Sequence, residues 1–238
     1  MKQPDSRVYE QELEFMPYRD SLKVVISRIC NYAPRNATLV DLMCGPGYLL
    51  GQLSIQRPDL YLLGVDKSAE YVHHAEQRYG RSPGLTFEVG DVLSWQPGSQ
   101  FDIVSCTGAL HHIPYSKQET VVKKMASLLS ADGFGILSDC YIGDYKNERE
   151  RRLAAAKLGY EYLAATIANC APPEVIQATA DILVNDVMRR EFKTSLRRRL
   201  TILRRHFACK ASTKKIWPNN KWDFGYGDYV TVLRKYLS

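Results

Sequence analysis

From Thr38 to about Ser138, short apolar runs alternate with stretches of helical period, and that alternation predicts a parallel sheet with crossover helices. "TLVDLM" (38–43) reads as a first strand, nearly continuous in apolar residues as a strand buried on both faces should be. "YLLGQLSIQ" continues as a helix that stops before Pro58, and "LYLLGVD" (60–66) is the second strand. "SAEYVHHAEQRYG" reads as a helix with Ser68 as its N-cap and Gly80 as its stop. "LTFEVGD" (85–91) and "FDIVSCTG" (101–108) follow as strands three and four. In "KQETVVKKMASLLS" the residues Val121, Val122, Met125, Leu128 and Leu129 fall at helical spacing, and "GFGILSD" (133–139) is a fifth strand entered through the turn "ADG".

Two segments lie outside that alternation. Residues 1–35 form an aromatic-rich helical leader broken at Pro17, and residues 141–207 read as mostly helix interrupted at Pro172-Pro173. The chain closes with "ACKASTKKIWP" and "YGDYVTVLRKYL", two β-like runs suited to pair antiparallel around "PNNK". The expected fold is therefore α/β: a doubly wound, seven-stranded, mainly parallel sheet with an antiparallel C-terminal strand pair near 209–217 and 226–234, plus helical caps. The expected segments are 1–35, a core over 36–140, a helical insertion over 141–195, and completion of the core over 196–238.

With 238 residues, one α/β domain with a helical elaboration is the default. No apolar run approaches the roughly 18 to 20 residues that span a bilayer, which argues against a membrane-spanning protein. The N-terminus lacks the apolar core of a secretory signal, and a cytoplasmic address follows by elimination. The six cysteines are scattered with no CxxC pair and read as reduced thiols, and no metal site is expected. Charge changes the picture in one place. From Arg189 to Lys215, eleven residues are Lys or Arg against one acid, Glu191. That segment is either the cationic outer face of a helix or an anion-binding surface for phosphate, carboxylate or RNA.

The candidate chemistry sits in "LVDLMCGPGYLL", a strand that ends in a glycine-bearing turn and opens a helix. The dinucleotide fingerprint GxGxxG is not met, because Leu50 stands where its third glycine would be, and the phosphate loop GxxxxGK[ST] is absent. What the turn carries instead is an acid, Asp41, ahead of Gly45 and Gly47. A carboxylate there repels a pyrophosphate and favours a ligand with a cationic amino-acid end.

This pattern resembles the first motif of the class I S-adenosylmethionine-dependent methyltransferases, with Met43 in place of the first of three glycines. The resemblance continues in order. Asp66, ending "GVD" 19 residues after Gly47, matches the acid that takes the cofactor's ribose hydroxyls, with Lys67 beside it. Asp91 in "VGDV" matches the acid at the adenine amino group, with Val92 as an apolar neighbour of the base. "FDIVSCTGALHHI" is similar to the fourth motif, whose strand end, here Thr107, lies beside the methionine part. The resemblance covers roughly 36–140 and implies S-adenosylmethionine as cofactor, the leader as a lid and 141–195 as a substrate cap. Within the lid it points to Tyr18 and Arg19, alongside Tyr9 and Phe15, as groups that surround a sulfonium or meet a carboxylate.

A sulfonium methyl is already activated, so transfer chiefly needs the acceptor positioned, and a base only when the acceptor must lose a proton. His111 and His112 are the candidate bases; the alternative is that one packs and the other faces solvent. The expected acceptor is an oxygen or nitrogen of a small or medium-sized metabolite, with the arginines favouring an acidic one. Two alternatives stand beside it. The leader, insertion and "FKTSLRRRL" look faintly like the carboxy-S-adenosylmethionine synthases of tRNA modification, and a non-catalytic nucleic-acid-binding protein would also use the basic helix. The apolar insertion suits a dimer interface as well as a cap. Met43 is expected to keep an ordinary φ, its flexible side chain filling space behind the turn.

Overall fold

The computed structural model describes residues 6–188, 191–208, 212–219 and 224–235. The turn "PNNK", Cys209, Lys210 and the Arg189-Arg190 pair of the basic segment lie wholly or partly outside the described residues, as does the side chain of Tyr9.

A seven-stranded sheet runs β3-β2-β1-β4-β5-β7-β6. Its strands are β1 (Thr38–Leu42), β2 (Tyr61–Asp66), β3 (Leu85–Val89), β4 (Phe101–Thr107), β5 (Leu129–Tyr141), β6 (Ser212–Trp217) and β7 (Gly227–Arg234). Strands β1 to β5 pair in parallel, while β7 enters antiparallel between β5 and β6. This is the expected doubly wound, mixed sheet. The order reverses between β1 and β4, and in open α/β sheets ligands lie outside the strand carboxyl ends at such a switch point.

The apolar runs make the strands because both faces are covered. Leu39, Val40, Leu42, Ile103 and Val104 are fully buried. On one face, α2 (Tyr18–Tyr32) and α3 (Tyr48–Gln56) bury Val25, Ile29, Leu50 and Leu53 against Leu39 and Ile103. On the other, α5 (Tyr115–Leu128) and α8 (Leu196–His206) bury Val121, Val122, Met125 and Leu203 against Val40 and Val104. The remaining helices are α1 (Ser6–Phe15), α4 (Ala69–Tyr79), α6 (Glu148–Ala168) and α7 (Pro173–Val187). Helices α6 and α7 pack on each other, and α1 rests on α7. Ser68 caps α4 as expected, its hydroxyl accepting from the Tyr71 amide at 3.3 Å. Among the described residues no helix is long and apolar enough to cross a membrane.

Strand five differs from the expectation. It begins at Leu129, directly after α5, so "ADG" is inside the strand instead of forming a turn before it. Phe101 pairs with Leu129 and Ile103 with Phe134, two residues along β4 against five along β5. The excess is absorbed as a bulge, which a single-sequence pattern reads as a turn.

Candidate active site

At the end of β1 the chain turns through residues 43–47. The amides of Met43 and Cys44 both donate to the Val65 carbonyl of β2, at 2.7 and 3.1 Å. Aiming two successive N–H groups at one acceptor twists the chain left-handed at Met43, where φ is +61°. The expectation of an ordinary φ at Met43 is therefore wrong. The side chain does pack behind the turn, against the cluster of Val40, Leu42 and Val65. A left-handed methionine carries a cost of roughly 1–2 kcal/mol, part of which glycine's larger unfolded-state entropy would offset. Met43→Gly should thus raise stability by up to about 1 kcal/mol in urea unfolding. A loss would show that the side chain's packing outweighs the backbone.

Gly45 (φ +55°) and Gly47 (φ +83°) complete the turn. A Cβ at Gly47 would lie 2.8 Å from the Phe87 ring, so this glycine lets α3 start close to the sheet. A Cβ at Gly45 would meet nothing within 4 Å, so the turn presents bare backbone to open space. Asp66 ties this turn to the next helix. One carboxylate oxygen accepts from the Gly45 amide at 2.9 Å and the other from the Ser68 amide at 2.8 Å. Each oxygen keeps capacity for a further donor.

Asp41 is buried on β1, accepts from the Ser105 hydroxyl at 2.7 Å, and is pushed up to about 7 by burial. The Ser105 bond works against that rise and the Asp66 charge adds to it. Asp91 is exposed after β3, with one oxygen on the Leu93 amide at 2.8 Å. Lys67 is exposed, Thr107 is half-buried at the end of β4, and Val92 points its side chain into the core beside Val40 and Val65. Tyr18 reaches the same edge from α2: a Cβ at Gly108 (φ +60°), just past β4, would lie 2.6 Å from its hydroxyl oxygen. Arg19 is turned to its own helix pair, donating to the Glu14 carbonyl at 2.6 Å. Phe15 is held through its carbonyl, which accepts from Asn169 at 2.6 Å. Asp41, Met43, Gly45, Gly47, Asp66, Asp91 and Tyr18 thus gather at the carboxyl edge of β1 to β4.

A second polar group lies beside the first, past the ends of β4 and β5. His111 Nδ1 is 2.6 Å from Asp139 Oδ1, and its Nε2 is 3.8 Å from Glu191. His112 Nδ1 is also 3.8 Å from Glu191, and Lys193 forms a buried ion pair with the same carboxylate. Burial and the Lys193 ammonium oppose a charge on His111, but Cys140 and then the Asp139 carboxylate, which also hydrogen-bonds the ring, carry it well above the ordinary imidazole range. Burial alone would raise Asp139, and the His111 cation, with Arg199 and Lys193, brings it below the ordinary carboxylate range instead. A charged, ion-paired ring has no lone pair to accept a proton, so His111 suits a structural cation better than the base suggested by its position. Its ring, with His112 and Glu191, brings three metal-ligating atoms within 4.8 Å of one another. The Lys193 ammonium already supplies the positive charge there.

A third pair was invisible in the sequence. The hydroxyl of Tyr162, from α6, donates to the carboxylate of Asp228 at the start of β7. Asp228 is 1% exposed and is pushed up to about 7 by burial, with the Tyr162 bond opposing the rise and Asp139 adding to it. Trp217 holds the Tyr162 ring edge-on at 4.8 Å. The two residues are 66 positions apart with no motif linking them.

Residues 39–133 match the family described as methyltransferase domain. A trans-aconitate 2-methyltransferase of Mycolicibacterium gilvum is 36% identical over 98 residues, 41% of this chain and 34% of the relative. The chain spans about a third of the length of the curated relatives it matches. A TehB-like SAM-dependent methyltransferase from Corynebacterium glutamicum superposes with a TM-score of 0.57 at 18% identity, covering 97% of each chain. The magnesium protoporphyrin IX methyltransferase of Synechocystis, solved with bound SAH, superposes with a TM-score of 0.60 at 18% identity, covering 92% of this chain and 84% of that one.

Proposed function

We propose, from a chain that has the class I methyltransferase fold and carries a methyltransferase domain over residues 39–133, that it uses S-adenosylmethionine to methylate an oxygen or nitrogen of a small, anionic acceptor. The observation that carries the reading is the open backbone of the β1 turn at Gly45, whose amide is held by Asp66, with Asp41 on β1 and Asp91 just past β3 at the same sheet edge. Acids around a bare turn suit a ligand with an ammonium group and many hydroxyl and amino donors, and they repel a phosphate.

S-adenosylmethionine supplies a methyl on a positively charged sulfur. In this reading Asp41, Met43, Gly45 and Gly47 take its amino-acid end and Asp66, beside Lys67, its ribose hydroxyls. Asp91 and the backbone at Val92 take the base, and Thr107 lies by the methionine part. Tyr18 and Arg19 belong to the lid. The protein's own contribution to transfer is to hold the acceptor in line and exclude water.

An anionic acceptor is supported by the buried cations His111, Lys193 and Arg199 gathered beside this edge, around Asp139. The relatives named for trans-aconitate point the same way. The arginines of α8 favour a small molecule over nucleic acid. Arg197 is paired with Asp144, Arg205 with Glu119, and Arg198 lies over the Tyr145 ring at 4.0 Å.

Calorimetry with S-adenosylmethionine and its demethylated product tests the reading directly. Both should bind, and Asp66→Ala should weaken both by about tenfold or more, the scale of one charge-assisted hydrogen bond. No binding of either by the intact protein would end the proposal. Formation of the demethylated product across a panel of small acids then identifies the acceptor.

A further inference from the structure

We propose that Tyr162 and Asp228 form the proton-accepting end of the acceptor site, so that the atom methylated is a hydroxyl or an amine that arrives carrying a proton. The inference rests on the methyltransferase reading and narrows it.

Position carries the first part of the argument. Asp228 faces Cys140 across the β5–β7 pairing, and the carbonyl of Ser138, two residues earlier on β5, accepts from the Gly108 amide at 2.8 Å. Gly108 is the residue covered by Tyr18. The end of β4, the end of β5 and the start of β7 therefore form one continuous stretch of sheet edge, with Asp228 at its far side. Tyr162 comes down on Asp228 from α6, and both Tyr18 of α2 and Cys140 of β5 act electrostatically on it. Leader, cap and sheet meet at this phenol.

Chemistry carries the second part. The His111 ring already has a carboxylate near each nitrogen and is held charged. The Tyr162 hydroxyl is different in kind, because a phenol that donates to a carboxylate can accept at its own oxygen at the same time. That makes it a relay. As the acceptor's bond to the methyl forms, the methyl–sulfur bond breaks with its electron pair left on sulfur. The acceptor's proton passes to the Tyr162 oxygen while Tyr162 passes its own to Asp228. The groups that face Asp228 are Tyr162 from α6, Asp139 from β5, Lys193 from the segment before α8 and His111 from the turn after β4. Burial, set against these groups, leaves Asp228 balanced near neutrality, where a carboxylate both takes and returns a proton.

The test needs no acceptor. The donor and its demethylated product carry the same ammonium and carboxylate and differ in the positive charge on sulfur, so only that charge distinguishes their effects on nearby acids. A positive sulfur beside the Tyr162–Asp228 pair favours ionised Asp228 and expels its proton. Calorimetry at pH 7 in buffers of different ionisation enthalpy counts that release. S-adenosylmethionine should release on the order of half a proton more per site than its product does. Asp228→Asn, which keeps the Tyr162 hydrogen bond, should remove most of the difference, and Asp41→Asn, which removes the other acid held near 7 at the cofactor's amino-acid end, should remove the rest. Tyr162→Phe keeps the ring against Trp217 and should alter the difference if the two residues act as a unit. Equal release by both ligands in the intact protein, or a difference that Asp228→Asn leaves undiminished, overturns the inference while leaving the methyltransferase reading intact. Failure of both ligands to bind overturns that reading and this inference with it.

Discussion

Replacing Asp139 by alanine should cost about 3–5 kcal/mol of stability, the scale seen when one partner of a buried ion pair is removed. Asp139 is 2% exposed and is the carboxylate on His111 Nδ1. It also accepts from the Cys140 amide at 3.0 Å, and Arg199 and Lys193 both act on it. Its removal strands His111 and takes a compensating charge from Arg199, which is fully buried and bonded to Gln118 at 2.8 Å. The pH of the measurement matters. Asp139 is depressed, so its contribution is present above the ordinary carboxylate range and lost as pH falls through its lower value. His111 is raised, so its contribution is present below the ordinary imidazole range and lost only as pH climbs through its higher value. At pH 7 both are charged. Urea unfolding at pH 7 should rank the intact protein above Asp139→Asn and Asp139→Asn above Asp139→Ala, because asparagine keeps the bond to the Cys140 amide. A loss under about 1 kcal/mol for alanine would mean that the cluster is open to water.

The second large effect is on pH. Glu12, Asp41 and Asp228 are each pushed up to about 7, all three chiefly by burial. Unfolded, each returns to the ordinary carboxylate range near 4. Between those limits the folded protein holds protons that the unfolded chain gives up, so stability should fall as pH rises from about 4 to 7. Each such group contributes up to about 1.4 kcal/mol per pH unit. His112 works the other way over part of the window. It is held down to about 3 by burial and the His111 cation, though with its side chain 43% exposed solvent blunts its share. The net expectation for the unliganded protein is a loss of a few kcal/mol, roughly, between pH 5 and pH 8. Asp41→Asn, which keeps a partner for Ser105, should flatten the slope by about a third. A urea midpoint that is constant or rises over that range would show that these carboxyls are ionised in the folded state.

The parts of this molecule that were legible in the sequence share one property: local chemistry decides them. A strand buried on both faces must be apolar, so β1, β2 and β4 announce themselves. Ser68 caps α4 because a hydroxyl three residues before an amide reaches it. The acids at 41, 66 and 91 are read from their places at strand ends. What escaped depends on distance. Asp139, His111, Glu191 and Lys193 come from widely separated parts of the chain, and nothing in "SDCY" or "REFK" marks either as half of an ion-pair network. Tyr162 and Asp228 meet only because β7 runs backwards into the sheet. Met43 escaped for another reason. A missing glycine suggested an ordinary backbone, whereas two amides converging on Val65 impose the left-handed one whatever the side chain.

The reversed entry of β7 also divides the molecule's heredity. The stretch shared with the methyltransferase-domain family, 39–133, holds the bare turn and the acids at 41, 66 and 91. Tyr18, Tyr162, Lys193 and Asp228, which crowd the other side of the same edge, all lie outside it. If the acceptor sits where we propose, a lineage can exchange the molecule it modifies by rewriting α6 and the start of β7 while the inherited stretch stays untouched. On that placement, likeness to relatives confined to that stretch tracks what is donated, and divergence at the two ends tracks what receives it.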